Sequence, residues 1–481
     1  MRTKLSSLLL KSIIKHHSRP CINHFNYSHL WNRIQHHSQT LKNFGIQPKD
    51  RIVVQTNIKT IDHVAMIIAA WDYNAVVASV SSDPHPSIVP KIKPTITMDS
   101  FGSITKHETS NDKKIILQTE HHDENDPCLI LFTSGSTADP KGVILTHKNI
   151  VSNLQMIQTL YKDNITTKDR SFSILPWHHC YGLVCELLYM IKSGAHIVVP
   201  KNFQNPIEEL KWSRPTLLFT VPKMLERIQK SPWNTKHTGR FLKYYLFGDQ
   251  LRMMSVGGSN CSSAIIEHFD ERFQIPIYQG FGMTETSPMI ALNSPYAQKI
   301  GSVGKPLSDV KIKIDRDEQI LVRSPSLMLG YLDKIDETNT IKTCLPNIEG
   351  WFPTGDKGYM DNEGYLFIKG RVKHEYKLSN GKYVNPGYLE SLLLSSSNFD
   401  QVLVIPSDNM DYNVCLVYTK LSAYDAFQEV QKICQGKIEK YEIPRKVFLL
   451  QTPFTVDNGL LSMKLEPKRQ EILKVWKNLI F

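Results

Sequence analysis

Short apolar runs, each closed by a cluster of turn-forming residues, recur along the chain and predict buried strands. Residues 129–132 (Leu-Ile-Leu-Phe) form one such run, giving way to a small, hydroxylated stretch over 133–137 that reads as a loop at the strand's end. Residues 215–221 read as a second strand, closed by Pro222 and followed by a helix through Met224, Leu225, Glu226 and Arg227. A third, over 252–256, ends at Gly257 and Gly258. The longest apolar stretch, 65–80, is broken by Asp72 and Asn74 and falls short of the roughly 20 residues that span a bilayer. A chain of 481 residues is too long for one compact core and predicts two or three domains.

The net charge of +11 favours anionic partners such as nucleotides, coenzyme A or an anionic membrane surface; peripheral membrane association stays open. No basic run interleaved with aromatics and no nucleic-acid-binding motif stands out, so nucleic acid is not expected. The eight cysteines have neither Cys-x-x-Cys nor zinc spacing, which predicts free thiols and no structural metal. Basicity concentrates at the start: residues 1–49 contain no acidic side chain, and Arg2, Lys4, Lys11 and Lys15 alternate with Leu8, Leu9, Leu10, Ile13 and Ile14. Residues 1–18 therefore read as a mitochondrial transit peptide, as an amphipathic helix on a membrane surface, or as the first helix of the folded domain.

Candidate chemistry centres on the loop after residue 132. Backbone N–H groups and the hydroxyls of Thr133, Ser134, Ser136 and Thr137 can turn toward one anion, Gly135 permits close approach, and Lys141 adds a cation able to reach a phosphate. The spacing is not that of a P-loop, because five residues separate Gly135 from Lys141 and a glycine follows the lysine. The whole string, Leu-Ile-Leu-Phe-Thr-Ser-Gly-Ser-Thr-Ala-Asp-Pro-Lys-Gly, resembles the phosphate-binding signature of the adenylate-forming superfamily of acyl-CoA synthetases, peptide-synthetase adenylation domains and beetle luciferases. Further motifs follow in that family's order: Pro176 with His179 and Gly182, Gly257-Gly258-Ser259, Gln279-Gly280-Phe281-Gly282-Met283-Thr284-Glu285, Gly355-Asp356, and Gly370-Arg371 with Lys373.

The resemblance implies an α/β fold, with a large N-terminal domain of stacked α/β subdomains (residues 19–369) and a small mobile C-terminal α+β domain (residues 370–481) hinged near Lys373. It implies that Gly257, Gly258, Ser259, Gln279, Gly280 and Phe281 receive adenine, with Phe281 stacking on it. Thr284 then bonds the α-phosphate, Glu285 holds Mg2+, Asp356 takes the ribose, Arg371 makes a second ribose or a phosphate contact, and His179 lies near the acyl carboxylate. One glutamate beside a phosphate loop suits magnesium, which prefers one or two carboxylates plus phosphate oxygens. Lys464, with Lys468 as the alternative, is the expected adenylation lysine, and the loop at Gly381 the expected neighbour of the coenzyme A arm. Stretches around Gly381, Asn413 and Asn458 resemble long-chain fatty acyl-CoA synthetases most closely. The expected reaction is thus ATP-dependent, AMP-forming ligation of a fatty acid to coenzyme A. An acyl-AMP ligase serving another acceptor, or a nucleotide-binding protein without turnover, are the alternatives, the latter because Ala138 replaces a family glycine and the N-terminal region over 81–126 is short.

Overall fold

The computed structural model describes residues 4–107, 123–133, 140–202, 206–229, 239–332, 350–396, 398–461 and 467–480. Two large sheets organise the body of the chain. The first has nine strands in the order Lys305–Pro306, Met289–Leu292, Ile277–Gly282, Met253–Val256, Leu217–Thr220, Arg170–Phe172, His196–Val198, Pro20–Ile22 and Phe25–Asn26, with a parallel centre. The second has seven, with Arg51–Gln55 and Val76–Val80 parallel at its middle and Pro127–Thr133 paired antiparallel with Lys141–Thr146. The predicted strands over 129–132, 215–221 and 252–256 are all present, and a helix Pro222–Gln229 follows the second.

Helices packed between the sheets form the main core. The stretch 65–80 falls in a helix, Ile61–Asp72, and then a strand, Val76–Val80; Asp72 and Asn74, which break its apolar run, mark the turn between them. Residues 61 and 63–71 of this helix are all buried, as befits an element covered on every side. The basic N-terminal segment folds as the helix Leu5–Lys15, whose Leu5, Leu9 and Ile13 have no exposed surface. Lys4 donates to Asn74 Oδ1 (2.7 Å) and Ser12 donates to the Ile191 carbonyl (2.8 Å), tying the helix to two distant segments.

A four-stranded antiparallel sheet, Lys311–Ile314, Gln319–Arg323, Phe352–Met360 and Leu366–Arg371, leads to the last part of the chain. There the strands Phe399–Pro406, Asn413–Thr419 and Lys446–Leu449 form a small sheet covered by the helices Pro386–Leu393 and Ala423–Cys434. Their apolar clusters contain no residue before Tyr376. The architecture is mixed α/β with a small α+β portion at the C-terminus, as expected. Seven cysteines fall among the described residues; all are buried and none of them is in a disulfide. Among the described residues no helix is long and apolar enough to cross a membrane.

Candidate active site

One cavity of about 1700 Å³ lies where the carboxyl ends of the parallel strands meet the small C-terminal sheet. This is the position at which α/β sheets bind ligands, because backbone leaves the strands there and side chains converge. Val221 follows the strand Leu217–Thr220, Gly257 and Gly258 follow Met253–Val256, and Gly280 to Glu285 close the strand Ile277–Gly282; all but Phe281 line the cavity.

The phosphate side is polar. Thr133 and Lys141 face each other as cross-strand partners at the two feet of the loop, and both line the cavity. Ser134, Gly135, Ser136, Thr137 and Ala138, the loop itself, lie outside the described residues. Thr284 and Glu285 enter from a 3-10 turn, Thr284–Thr286. The Glu285 side chain is buried, and its Oε1 accepts a hydrogen bond from the Tyr331 hydroxyl (2.9 Å). The Lys141 ammonium lies 5.5 Å from the centre of the same tyrosine ring. Tyr331 thus joins the cation of the loop to the candidate magnesium carboxylate. Sequence reasoning passed over it as part of a structural turn.

Asp356 and Arg371 are cross-strand partners on neighbouring strands, with Arg371 Nε 3.1 Å from Asp356 Oδ1. Arg371 and Gly355 line the cavity, while the buried Asp356 carboxylate stands just behind them. Lys373 lines it too, in the turn Val372–His374, where burial, then Arg469, Arg371 and Lys373, pushes the His374 imidazole down to about 4. Ser259 is also on the wall. Gln279 is buried, its Nε2 donating to Asn260 Oδ1 (3.2 Å), and Phe281 packs on the main core; neither lines the cavity as it stands.

The other end is apolar. His179 lines the cavity together with Leu175, Pro176, Cys180, Tyr181, Val221, Met283, Pro288 and Met289. Tyr181 is fixed by donating to the Ser255 carbonyl (3.0 Å) and packs edge-on against Phe219, with ring centres 6.4 Å apart. Its ring stands only 3.4 Å from where a Cβ on Gly257 would sit, so Gly257 leaves room for this aromatic wall.

The segment after the strand Lys446–Leu449 presents Pro453 to Asp457 and Leu461 to the cavity, and the C-terminal sheet adds Asp400, Gln401 and Tyr418. Lys223 Nζ bridges the two parts by donating to the Asp400 carbonyl (3.3 Å). Lys464 lies outside the described residues; Lys468 is described, exposed and away from the cavity. Gly381 occupies the turn between the strands Tyr376–Lys377 and Tyr383–Val384 and does not line the cavity.

Adenylate-forming enzymes are the class that this fold and this convergence of groups define. The profile of the family described as AMP-binding enzyme matches residues 81–332, more than half of the chain, and the chain belongs to that family. A 2-succinylbenzoate–CoA ligase of Bacillus cereus is 30% identical over 362 residues, covering 71% of this chain and 70% of the relative. A 4-coumarate–CoA ligase-like protein of Oryza sativa is 28% identical over 363 residues, covering 71% of this chain and 63% of the relative. The solved structure of ATP-bound MatB from Rhodopseudomonas palustris superposes with a TM-score of 0.80 at 19% identity, over 100% of both chains.

Proposed function

We propose that this chain is an AMP-forming carboxylic acid–CoA ligase that works through an acyl-adenylate, using ATP, Mg2+ and coenzyme A. The observation that carries the reading is the single cavity shared by Thr133, Lys141, Glu285, Arg371 and His179, with polar groups gathered at one end and apolar ones at the other. In the first step a carboxylate oxygen attacks the α-phosphorus of ATP, forming the acyl phosphate bond as the bond to pyrophosphate breaks. Charge grows on the phosphate oxygens, and preorganised donors aimed at them supply most of the acceleration. In this reading Thr133, Thr284 and Lys141, which line the cavity, supply such donors. The Glu285 carboxylate, buried and oriented by Tyr331, fits the single protein ligand that magnesium prefers beside phosphates. When bound, the ion would neutralise charge on the transferring group. In the second step the coenzyme A thiol attacks the acyl carbonyl and AMP leaves.

For the acid, we propose a compact acid, with aryl acids foremost. The two relatives act, by name, on succinylbenzoate and resemble an enzyme of coumarate, and neither is a long-chain fatty acid ligase. Tyr181, pinned to Ser255 and packed against Phe219, gives the cavity a fixed aromatic wall suited to a flat acid. The long-chain acid expected from the C-terminal motifs is the competing arm of the test. AMP and pyrophosphate release from MgATP is measured with benzoate, coumarate, succinylbenzoate and fatty acids of rising length, with and without coenzyme A. Turnover by aryl acids that requires coenzyme A for AMP release is expected. Selective use of palmitate overturns the assignment of the acid, and no turnover with any acid overturns the ligase reading.

A further inference from the structure

Behind the wall that carries His179 runs a buried polar chain that the two chemical steps leave unused. Lys59, between the strand Arg51–Gln55 and the helix Ile61–Asp72, is almost wholly buried, and Glu186 and Ser173 have no exposed surface. Lys59 Nζ donates to the Ser173 carbonyl (2.7 Å) and to Ser173 Oγ (3.0 Å). Ser173 Oγ in turn donates to Glu186 Oε2 (3.0 Å) and accepts from the indole Nε1 of Trp177 (3.2 Å). The Lys59 ammonium lies 5.3 Å from the centre of the Trp177 ring, and Ser79 Oγ holds the Trp177 carbonyl (3.1 Å). Burial opposes both charges, pushing the Glu186 carboxyl up and the Lys59 ammonium down, each to about 8.

Such a pair is a poor stabilising device, because desolvation offsets its attraction and an apolar replacement of similar size is often as stable. Its placement gives it another use. Trp177 lies within the turn over 176–182 and Glu186 just beyond it, and from this turn His179 reaches the cavity. The turn is closed on itself: the His179 amide donates to the Pro176 carbonyl (3.2 Å), and a Cβ on Gly182 would stand 2.4 Å from that same oxygen. Glu186 then sits in a π-helix, Tyr181–Leu188, a local departure from α-helical winding that often accompanies a functional position. With so little slack, moving Trp177 or the π-helix moves His179.

We propose that Lys59 and Glu186 are positioning residues which, through Ser173 and Trp177, fix the turn over 176–182 and so aim the His179 imidazole into the cavity. The catalytic part of this proposal rests on the adenylation reading above; the structural part does not. The test uses the full chain, with histidine-selective isotope labelling and His179 assigned through His179→Ala. Glu186→Gln, Lys59→Met and Ser173→Ala are each expected to shift the His179 resonance and its titration midpoint. Acid-dependent ATP–pyrophosphate exchange should fall by about 10- to 100-fold in kcat, the scale on which a misplaced group acts, with KM for ATP within about twofold. Combined with His179→Ala, each should cost nothing more. An unchanged His179 resonance in the folded variants overturns the proposal, whether or not any acid is turned over; so do losses that multiply with that of His179→Ala. If Lys59→Met fails to fold, Ser173→Ala, which deletes one oxygen at the junction, carries the test. Absence of exchange in the unmodified chain counts against the ligase reading, while the resonance still decides this proposal.

Discussion

The two ends of the cavity are built by different means. At the phosphate end, each polar group sits at a strand end beside others close in sequence: Thr133 and Lys141 at the feet of one loop, Thr284 and Glu285 adjacent in one turn. At the acid end, Tyr181, Val221 and Met289 come from separate elements and meet only by packing. The chemistry common to a reaction class is therefore carried by local strings, and the choice of acid by tertiary contact. Substitutions at the first end should change the rate for every acid alike, and those at the second should change the order of preference among acids.

The largest effect is expected at Glu285. Replacing it by alanine removes the carboxylate placed for magnesium and for charge growing in the transition state, where loss of one preorganised group typically costs about 100- to 1,000-fold in kcat. Exchange rates measured across the acid panel should fall by one common factor. A change in the ranking of acids would break the separation between the two ends.

That separation also explains how far the sequence could be read. Phosphate demands small, hydroxylated and glycine-rich backbone, so the loop at Thr133 and the turn at Glu285 announce themselves, and the cross-strand pairing of Asp356 with Arg371 sits in two such motifs. Tyr331 was not legible: it reaches Glu285 across 46 residues of chain, and nothing in its own neighbourhood distinguishes it from a packing tyrosine. Lys59 and Glu186 are hidden for the same reason, since a lone lysine or glutamate in sequence is ordinarily a solvated charge. The N-terminal segment shows the opposite failure. Its alternation of basic and apolar residues fits an import leader, a membrane-surface helix and a core helix equally, and only the burial of Leu5, Leu9 and Ile13 shows which face is packed. Phe281 and Gln279 lie on the strand Ile277–Gly282 beside the cavity, yet pack toward the interior; a strand's alternation sends neighbours to opposite sides.

A smaller and more selective effect is expected at Tyr181. Shortening it to alanine opens the space bounded by Gly257 and Phe219 without touching a phosphate-side group. Discrimination by fit in an apolar pocket is worth about 1–3 kcal/mol, or roughly 10- to 200-fold. The ratio of kcat/KM for a bulky acid over benzoate should rise by at least about tenfold, while KM for ATP stays unchanged. An equal loss for all acids would instead make Tyr181 a structural prop of the strand Met253–Val256, to which it is bonded through Ser255.

The mildest substitution probes the phosphate end most finely. Tyr331→Phe keeps the ring beneath Lys141 and removes only the hydroxyl that orients Glu285. A hydrogen bond to the second oxygen of a metal-binding carboxylate fixes its direction, and loss of such a support costs about tenfold in metal affinity or activity. The expected result is a magnesium requirement raised by about tenfold, with near-normal exchange once the ion saturates and with the acid ranking intact. Because Lys141 should still feel the ring, Tyr331→Leu is expected to lower the rate at saturating magnesium as well, through loss of the aromatic face. If the two variants behave alike, the hydroxyl rather than the ring is the whole of the contribution, and the link from Lys141 to Glu285 reduces to one hydrogen bond.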